Sequence, residues 1–299
     1  MQDIRDIFFS NIKNIFEKDK NFYILTNDAD VHALRILRSK KRFIDVGVAE
    51  QNLINIASGI AKKNASALIY GFCTFLTFRC YEQIKFSLAS HNSNCKIVGI
   101  GPGYSFPYDG PTHHGIQDIY LMYLIPEMEI YNIADNNLAN LVSKKINQIK
   151  GPAYIRLDKG VQNYNQDVDY NLSDGFNLIL KNKNKKNLVI SSGYFCNLAV
   201  EEAKLTSNVS VINLFKLKKF NKKKLINIIK KFKKIIIYDE STVSGGIAPI
   251  LINLFNKYDI KTKVQILASP DVQLFKYSLE RLDILKYLRI YKTNLRKFF

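Results

Sequence analysis

The sequence predicts an α/β protein with two doubly wound domains. Short β-rich runs alternate with segments of helical period along most of the 299 residues, which is the pattern of parallel strands joined by helices. The alternation fades over residues 163–186, where Asn, Asp and Lys dominate. We therefore expect a first domain at residues 1–162, a linker at 163–186 and a second domain at 187–299.

The elements of the first domain follow from apolar spacing and turn residues. The pattern predicts helices at 4–19 and 135–149, and strands at 22–25, 43–48, 67–72, 96–100, 128–133 and 153–157. Strand 22–25 ends in a polar turn at residues 26–30. Because α/β sheets bind ligands at the carboxyl ends of their strands, this turn is expected to lie near a site.

The second domain repeats the same alternation. Strands are predicted at 188–191, 209–215, 235–238 and 264–267, with helices after Gly193, from Asn221 and after Gly245-Gly246. This spacing predicts a second parallel sheet with short crossovers.

The chain is strongly basic, with 44 Lys and Arg against 26 Asp and Glu and a formal net charge of +18. Such a balance is typical of proteins that bind nucleic acid, anionic membranes or acidic small molecules. Here the lysines fall in Asn-Lys stretches such as 181–187 and 216–224, without interleaved aromatic residues or a Gly-rich loop. This composition favours drift over nucleic-acid binding.

The four cysteines form no C-x-x-C pair and no cluster with histidine, so we expect reduced thiols and no metal site built by this chain. The first 16 residues lack the apolar run of a signal peptide, and no uncharged span reaches the length of a membrane helix. A soluble, cytoplasmic protein is expected.

Three ordered motifs lie in the first domain: residues 47–52 (G-V-A-E-Q-N), 74–81 (T-F-L-T-F-R-C-Y) and 109–113 (D-G-P-T-H). Taken singly, each has a structural explanation. An acidic residue in a first helical turn interacts with the helix dipole, an aromatic stripe packs into a core, and Asp-Gly forms a turn. Their combination and order favour a functional site.

Together these motifs resemble the pyrimidine-binding domain of the transketolase family of thiamine diphosphate enzymes. The resemblance implies that Glu50 contacts N1′ of the cofactor's aminopyrimidine. It also implies that Phe75, Phe78 and Tyr81, which recur at helical spacing and should share one helix face, form the pocket for that ring. A carboxylate is needed at N1′ because protonation there promotes the imino tautomer that deprotonates the thiazolium.

The resemblance also implies substrate contacts. Asp109 would meet a substrate hydroxyl, and His113 would contact the carbonyl or hydroxyl oxygens of the donor. Arg5 and Lys159 stand where relatives bind substrate phosphate, although lysine lacks the bidentate fork of arginine. Asp28 lies near a serine that holds phosphate in most transketolases, and a carboxylate there would repel phosphate. The usual sugar-phosphate acceptor is therefore in doubt.

The sequence contains no G-D-G and Asn motif, which in transketolases binds the diphosphate and Mg²⁺. The resemblance thus implies one subunit of a split transketolase that moves a two-carbon ketol unit from a ketose to an aldose. It implies an N-terminal, pyrophosphate-binding partner subunit, and a heterotetramer in which this chain self-associates through its pyrimidine-binding domain. The second domain resembles the transketolase C-terminal domain and is expected to act as a scaffold.

Other assignments remain open. Most transketolases have a further histidine where this chain has Gly101, and deoxyxylulose-phosphate synthases also lack it, so a synthase-like subunit is an alternative. The β subunit of a 2-oxoacid dehydrogenase typically shows H-S-Q where residues 112–115 are T-H-H-G, which argues against it. A non-catalytic or RNA-binding protein that retains the fold is the alternative of another class.

Overall fold

The first half of the chain forms a six-stranded sheet in which every pairing is parallel. The computed structural model describes residues 2–162, 168–184, 186–206, 208–276 and 280–299. The strands of this sheet are β1 (Phe22–Thr26), β2 (Phe43–Asp45), β3 (Ser66–Phe72), β4 (Cys95–Ile100), β5 (Glu129–Asn132) and β6 (Ala153–Leu157). Their order is β2-β1-β3-β4-β6-β5. The chain reverses direction across the sheet between β1 and β3, as doubly wound folds do.

Helices cover both faces of this sheet. They are α1 (Ile4–Lys18), α2 (Glu50–Ala61), α3 (Cys73–Thr77), α4 (Tyr81–Gln83), α5 (Asp118–Tyr123) and α6 (Asn136–Lys144), with shorter helical turns at His32–Leu37, Ile84–Ala89, Pro107–Thr112 and Ile146–Gln148. In α1, Ile4, Phe8, Ile12 and Phe16 recur every four residues and are buried against the sheet.

The second half forms a five-stranded sheet in the order β11-β10-β8-β9-β7. Its elements are β7 (Phe176–Leu180), β8 (Asn187–Ser191), α7 (Tyr194–Ala203), β9 (Val209–Leu214), α8 (Lys222–Ile229), β10 (Lys234–Thr242), α9 (Ile247–Lys257), β11 (Lys263–Ser269), α10 (Arg281–Tyr287) and α11 (Lys292–Leu295), followed by a turn at Arg296–Phe298. The parallel pairing of β8 to β11 agrees with the expected alternation.

One strand of this sheet lies inside the segment expected to be a linker. β7 occupies Phe176–Leu180 and pairs antiparallel with β9. Residues 163–167 and 185 of the same segment lie outside the described residues. The expectation of an irregular linker throughout 163–186 is therefore wrong for β7, and the second sheet is mixed where an all-parallel sheet was expected.

The two halves are joined by backbone hydrogen bonds and by a buried ion-pair cluster. Asn132 N donates to Phe215 O and Leu217 N donates to Ile130 O, each at 2.8 Å. Helices α5 and α9 pack against each other in one continuous apolar cluster. Within the described residues, no helix has both the length and the apolar character needed to cross a membrane.

Candidate active site

Glu50 lies at the carboxyl end of the first sheet, where the chain turns from β2 into α2. β2 ends at Asp45, Gly47 adopts a φ of +67°, and α2 begins at Glu50. The Glu50 side chain is 3% exposed. Its Oε1 accepts a hydrogen bond from Asn27 Nδ2 at 2.9 Å, and its Oε2 accepts one from Arg79 Nη1 at 3.0 Å. Both carboxylate oxygens are therefore engaged at the rim of a buried site.

Asn27 and Arg79 were not predicted from the sequence. Asn27 directly follows β1, in the polar turn 26–30 that was expected to lie near a ligand, so an amide at a strand end was the available signal. Gly71 makes room for it, because a Cβ at Gly71 would lie 2.2 Å from Asn27 Oδ1. Arg79 lies inside the aromatic motif, at a position to which the motif assigns no role.

The aromatic motif does not form a single helix face. α3 ends at Thr77, Cys80 departs from helical geometry with φ −105° and ψ 11°, and α4 begins at Tyr81. Phe78 falls in this break and is 39% exposed, whereas Tyr81 packs partly buried against the apolar core. The expectation of a continuous shared face is wrong, because the helix is interrupted between its second and third aromatic residues.

Phe75 has a direct link to Glu50. The Arg79 guanidinium carbon lies 4.6 Å from the centre of the Phe75 ring, while the same guanidinium contacts the Glu50 carboxylate. Arg79 is itself half-exposed. The structure therefore joins Glu50 and Phe75 through one arginine, and the cofactor roles of Phe75, Phe78 and Tyr81 stay predictions.

His113 lies in an aromatic cluster with Phe75. The ring centroids of His113 are 4.9 Å from Phe75, 5.1 Å from Phe72 and 6.3 Å from Phe106. Thr112 Oγ1 lies 3.0 Å from His113 Nδ1, so one ring nitrogen is already in a hydrogen bond. The cluster extends from the Glu50 side of the sheet edge toward β4.

The neighbouring histidine has a different environment. His114 is buried, its ring lies 4.9 Å from that of Tyr104, and burial lowers the pKa of His114. Asp109 is exposed, and its carbonyl accepts a hydrogen bond from Thr112 Oγ1 at 3.1 Å. Of the two tandem histidines, His113 is therefore the one that meets the aromatic cluster. The predicted substrate roles of His113 and Asp109 are untested.

Phe106 fills the space beside Gly101, the position where most transketolases have a histidine. Gly101 adopts a φ of +74°, and a Cβ there would lie 2.3 Å from the Phe106 ring. A side chain at this position would need both the ring and the backbone to move. The replacement of a polar group by an aromatic wall is thus built into the loop.

Arg156 and Lys159 differ in what they contact. Arg156 is buried, forms two hydrogen bonds with Asp118 at 2.7 and 3.0 Å, and donates to Gly115 O at 2.6 Å. Lys159 is half-buried, with its Nζ 4.2 Å from the centre of the Phe106 ring. Lys159 is therefore placed to meet a ligand, whereas Arg156 belongs to the interior of the domain.

Arg5 and Asp28 line a cavity at the carboxyl ends of β1, β3 and β4. This Arg5 cavity has a volume of about 220 Å³ and is lined by Arg5, Asp28, Ala29, Asp30, Phe72, Ile100 and Phe106. An adjoining cavity of about 350 Å³ shares Arg5 and adds Lys159 and Ser105. The structure thus brings Arg5, Asp28 and Lys159 together beside the aromatic cluster, and their binding roles stay predictions.

The residues around Glu50 fit an aminopyrimidine. A buried carboxylate lies beside the face of an aromatic ring, which suits a planar heterocycle with one protonated nitrogen. Asn27 Oδ1 and Thr74 Oγ1 are buried without a hydrogen-bond partner among the described residues, and Thr74 directly precedes Phe75. These oxygens could accept from an amino group. Within the same described ranges, no group of three or more His, Cys, Asp or Glu side chains is arranged to hold a metal ion.

Comparison with known families agrees with this fold and site. Residues 1–165 match the family described as "Transketolase, pyrimidine binding domain", and residues 177–290 match "Transketolase, C-terminal domain". The chain therefore belongs to the transketolase family. Enzymes of this family depend on thiamine diphosphate.

The curated relatives include components of split transketolases. One subunit of the apulose-4-phosphate transketolase from Actinobacillus succinogenes is 31% identical over 70% of this chain and 68% of its own length. A 6-deoxy-6-sulfo-D-fructose transketolase subunit from Clostridium sp. is 33% identical over 52% of this chain and 49% of its own length. The 1-deoxy-D-xylulose-5-phosphate synthase of Halothermothrix orenii is 29% identical over 77% of this chain, which spans only 37% of that enzyme.

Solved structures show the same fold. A split-gene transketolase described as an inactive β4 tetramer aligns with a TM-score of 0.84 and 21% identity over 99% of this chain and 96% of its own. The transketolase of Campylobacter jejuni aligns with a TM-score of 0.80 and 16% identity over 99% of this chain and 46% of its own. The α/β class with two doubly wound domains, expected from the sequence, is confirmed.

Proposed function

We propose that this chain is the pyrimidine-binding subunit of a split, thiamine diphosphate-dependent transketolase, active in ketol transfer with an N-terminal partner subunit. The observation that carries the proposal is the buried Glu50 carboxylate beside Phe75, whose ring also contacts His113. A cofactor contact and a substrate contact thus lie on opposite sides of one aromatic ring. When bound, thiamine diphosphate supplies the nucleophilic carbon that accepts the two-carbon unit.

The chain's own residues would bind and orient the reactants. Glu50 would hold the proton at N1′ of the aminopyrimidine, and Phe75 would pack against its ring, with Phe78 and Tyr81 closing the pocket after partner docking. Burial of Glu50 excludes water from that hydrogen bond and strengthens it. These contacts would fix the orientation of the cofactor.

The substrate would be held from the opposite side. His113 would donate a hydrogen bond to an oxygen of the donor sugar, and Asp109 would accept from a hydroxyl. Lys159 and Arg5 would border the far end of the sugar, together with Asp28. Two relatives act, by name, on apulose 4-phosphate and on 6-deoxy-6-sulfo-D-fructose, which supports a sugar as the substrate class.

The partner subunit would supply the diphosphate and Mg²⁺ site. The relative named as one subunit of an apulose-4-phosphate transketolase and the split-gene neighbour described as a β4 tetramer support an assembly of two kinds of chain, for which we infer a heterotetramer. All four cysteines lie in the described residues as buried thiols without a disulfide, which supports a reducing, cytoplasmic location.

The direct test is reconstitution with the partner. Tagged chain is purified from its native cell with thiamine diphosphate and Mg²⁺, and the co-purifying protein is identified by mass spectrometry. The complex is then assayed for ketol transfer with the wild-type chain and with Glu50→Ala. We expect a stoichiometric partner, and a loss of activity of about 100-fold or more in the variant.

A matched control and an alternative substrate sharpen this test. Glu17→Gln removes an exposed carboxylate at the far end of α1 and should leave activity unchanged. Pyruvate is assayed in parallel, because a decarboxylating reaction would support the synthase-like alternative suggested by the 29% identical relative. Full activity in Glu50→Ala would refute the catalytic role of this site.

A further inference from the structure

The Arg5 cavity lies where the far end of a substrate held by His113 would reach, an argument that rests on the proposed function. Phe72 and Phe106 line the cavity, and the rings of both also contact His113. The two rings are themselves 5.0 Å apart between centroids. A sugar with one end at His113 would therefore pass along these rings into the cavity.

The arginine of the cavity is already engaged. Arg5 Nε donates to Asp3 Oδ1 at 3.0 Å, and Arg5 Nη2 donates to Asp3 Oδ2 at 2.9 Å. Asp3 Oδ2 also accepts from Gly160 N at 2.9 Å, which fixes the carboxylate against the guanidinium. A bidentate pair of this kind uses the fork that would otherwise hold a phosphate.

The second carboxylate of the wall is unpaired. Asp28 adopts a φ of +63°, and its backbone N–H donates to Asp45 Oδ1 at 2.9 Å. Within the residues that the structure describes, no hydrogen bond or ion pair engages the Asp28 carboxylate, whereas Asp30 in the same wall is paired with Arg35. The cavity therefore presents one uncompensated negative charge.

Lys159 does not reverse this balance. Its ammonium lies over the Phe106 ring in the adjoining cavity, and a single lysine acts as one point charge. A phosphate dianion entering beside Asp28 would meet one cation and one carboxylate at short range. Hydroxyl groups, in contrast, can donate to the free carboxylate, and the rings offer apolar faces to sugar C–H groups.

We propose that Asp28 and the Asp3–Arg5 pair select a sugar whose far end carries hydroxyl groups and no phosphate. Asp28 accepts hydrogen bonds from the sugar, and Asp3 withholds Arg5 from an anion. The cavity thereby discriminates between an unphosphorylated sugar and its phosphate ester by charge repulsion.

Binding of inorganic phosphate to the isolated full-length chain tests the charge argument without turnover. Titration calorimetry at constant ionic strength compares wild type with Asp28→Asn, since asparagine tolerates the positive φ of this position. We expect weak phosphate binding in the wild type and an affinity about tenfold higher in Asp28→Asn. Glu17→Gln, with the same charge change at a distant exposed site, should match the wild type.

Turnover of the reconstituted complex tests the selectivity. We expect kcat/KM to be higher for D-ribose than for D-ribose 5-phosphate as acceptor, and Asp28→Asn to shift this ratio by about tenfold toward the phosphate ester. Submillimolar phosphate binding by the wild type, or a wild-type preference for D-ribose 5-phosphate, overturns the inference while leaving ketol transfer intact. Absence of ketol transfer would instead refute the proposed function, and the phosphate titration would still decide the charge of the cavity.

Discussion

Two arginine–carboxylate pairs of the first domain differ in how completely they are enclosed. Arg156 and Asp118 are both buried, and Asp118 also accepts from Tyr154 OH at 2.5 Å. Arg79 and Glu50 are joined by a single contact, with the carboxylate buried and the arginine half-exposed. The enclosed pair has no free path to solvent, whereas the open pair can exchange its cation for another ligand.

This difference separates a structural pair from a binding site. Removing one member of an enclosed pair leaves an uncompensated charge in the interior, which costs several kcal/mol. A pair at the rim is screened by water, so its loss costs little stability. Only an open pair can keep a carboxylate buried and still present it to a cofactor. The comparison therefore predicts opposite balances of stability and function for the two arginines.

Arg156→Met should give the largest loss of stability. The variant leaves Asp118 buried without its cation, which we expect to lower the free energy of unfolding by about 4 kcal/mol. Urea unfolding followed by circular dichroism measures the change. Arg38→Gln is the control, because Arg38 is an exposed partner of Asp30 and its loss should leave the urea midpoint unchanged. A variant as stable as wild type would show that enclosure does not decide the cost.

Arg281→Met tests an enclosed cluster that joins the two domains. Arg281 contacts Asp158 at 2.8 Å and Glu240 at 2.6 and 2.8 Å, and it stacks on the Tyr194 ring at 3.7 Å. We expect a loss of about 3 kcal/mol, since the arginine keeps some contact with solvent.

The Arg281 variant should also loosen the domain contact and the loop of Lys159, whose backbone N–H donates to Asp158. Limited proteolysis is expected to cut the chain between the domains faster than in the wild type, and the KM for a sugar substrate should rise more than kcat falls. Unchanged proteolysis would show that the backbone hydrogen bonds alone hold the domains together.

Asp135 adds a buried carboxylate that is held by hydrogen bonds and not by a cation. It accepts from Leu138 N and from Tyr170 OH, each at 2.7 Å, and burial raises the pKa of Asp135 to about 6 from 3.8. A raised acid pKa means that folding opposes ionisation. Stability contributed by this group is therefore lost as pH rises from about 4 through 6.

Asp135→Asn should remove this pH dependence, because an amide oxygen can still accept from Leu138 N as the helix cap. We expect the stability of the variant relative to wild type to be about 1 kcal/mol more favourable at pH 8 than at pH 5. Urea unfolding at the two pH values measures it. An equal difference at both would mean that the carboxyl does not titrate in this window.

Most of the first sheet could be predicted from its sequence because its strands are apolar runs bounded by turn residues. Strand 153–157 was predicted with its observed bounds, and α1 to within one residue. β7 could not be predicted, since Phe176–Leu180 sits among polar residues and is stabilised by pairing with β9, more than 30 residues away. The break after Thr77 was hidden by an aromatic spacing that fits one helix.

The site was predictable only where a motif names the residue type. Glu50 and His113 were found by motif, and the structure places both beside Phe75. Asn27 and Arg79 act through contacts between distant parts of the chain, so local pattern carried no assignment for them. The Asp3–Arg5 pair was equally hidden, because the sequence shows two charges at neighbouring positions but not their bidentate geometry.

Arg79→Gln should cost the least stability and gives the sharpest test of the open pair. Because Arg79 is half-exposed and Glu50 keeps its hydrogen bond from Asn27, we expect the free energy of unfolding to fall by less than about 1 kcal/mol. The guanidinium lies over Phe75 and on Glu50, the two groups proposed to hold the aminopyrimidine, so it must move when the cofactor binds. Removing this competitor should tighten thiamine diphosphate binding to the reconstituted complex by about threefold, measured by cofactor titration. Weaker binding in the variant would mean that Arg79 is itself a cofactor contact, and the pair would then resemble the enclosed Arg156–Asp118 pair in being a fixed part of its site.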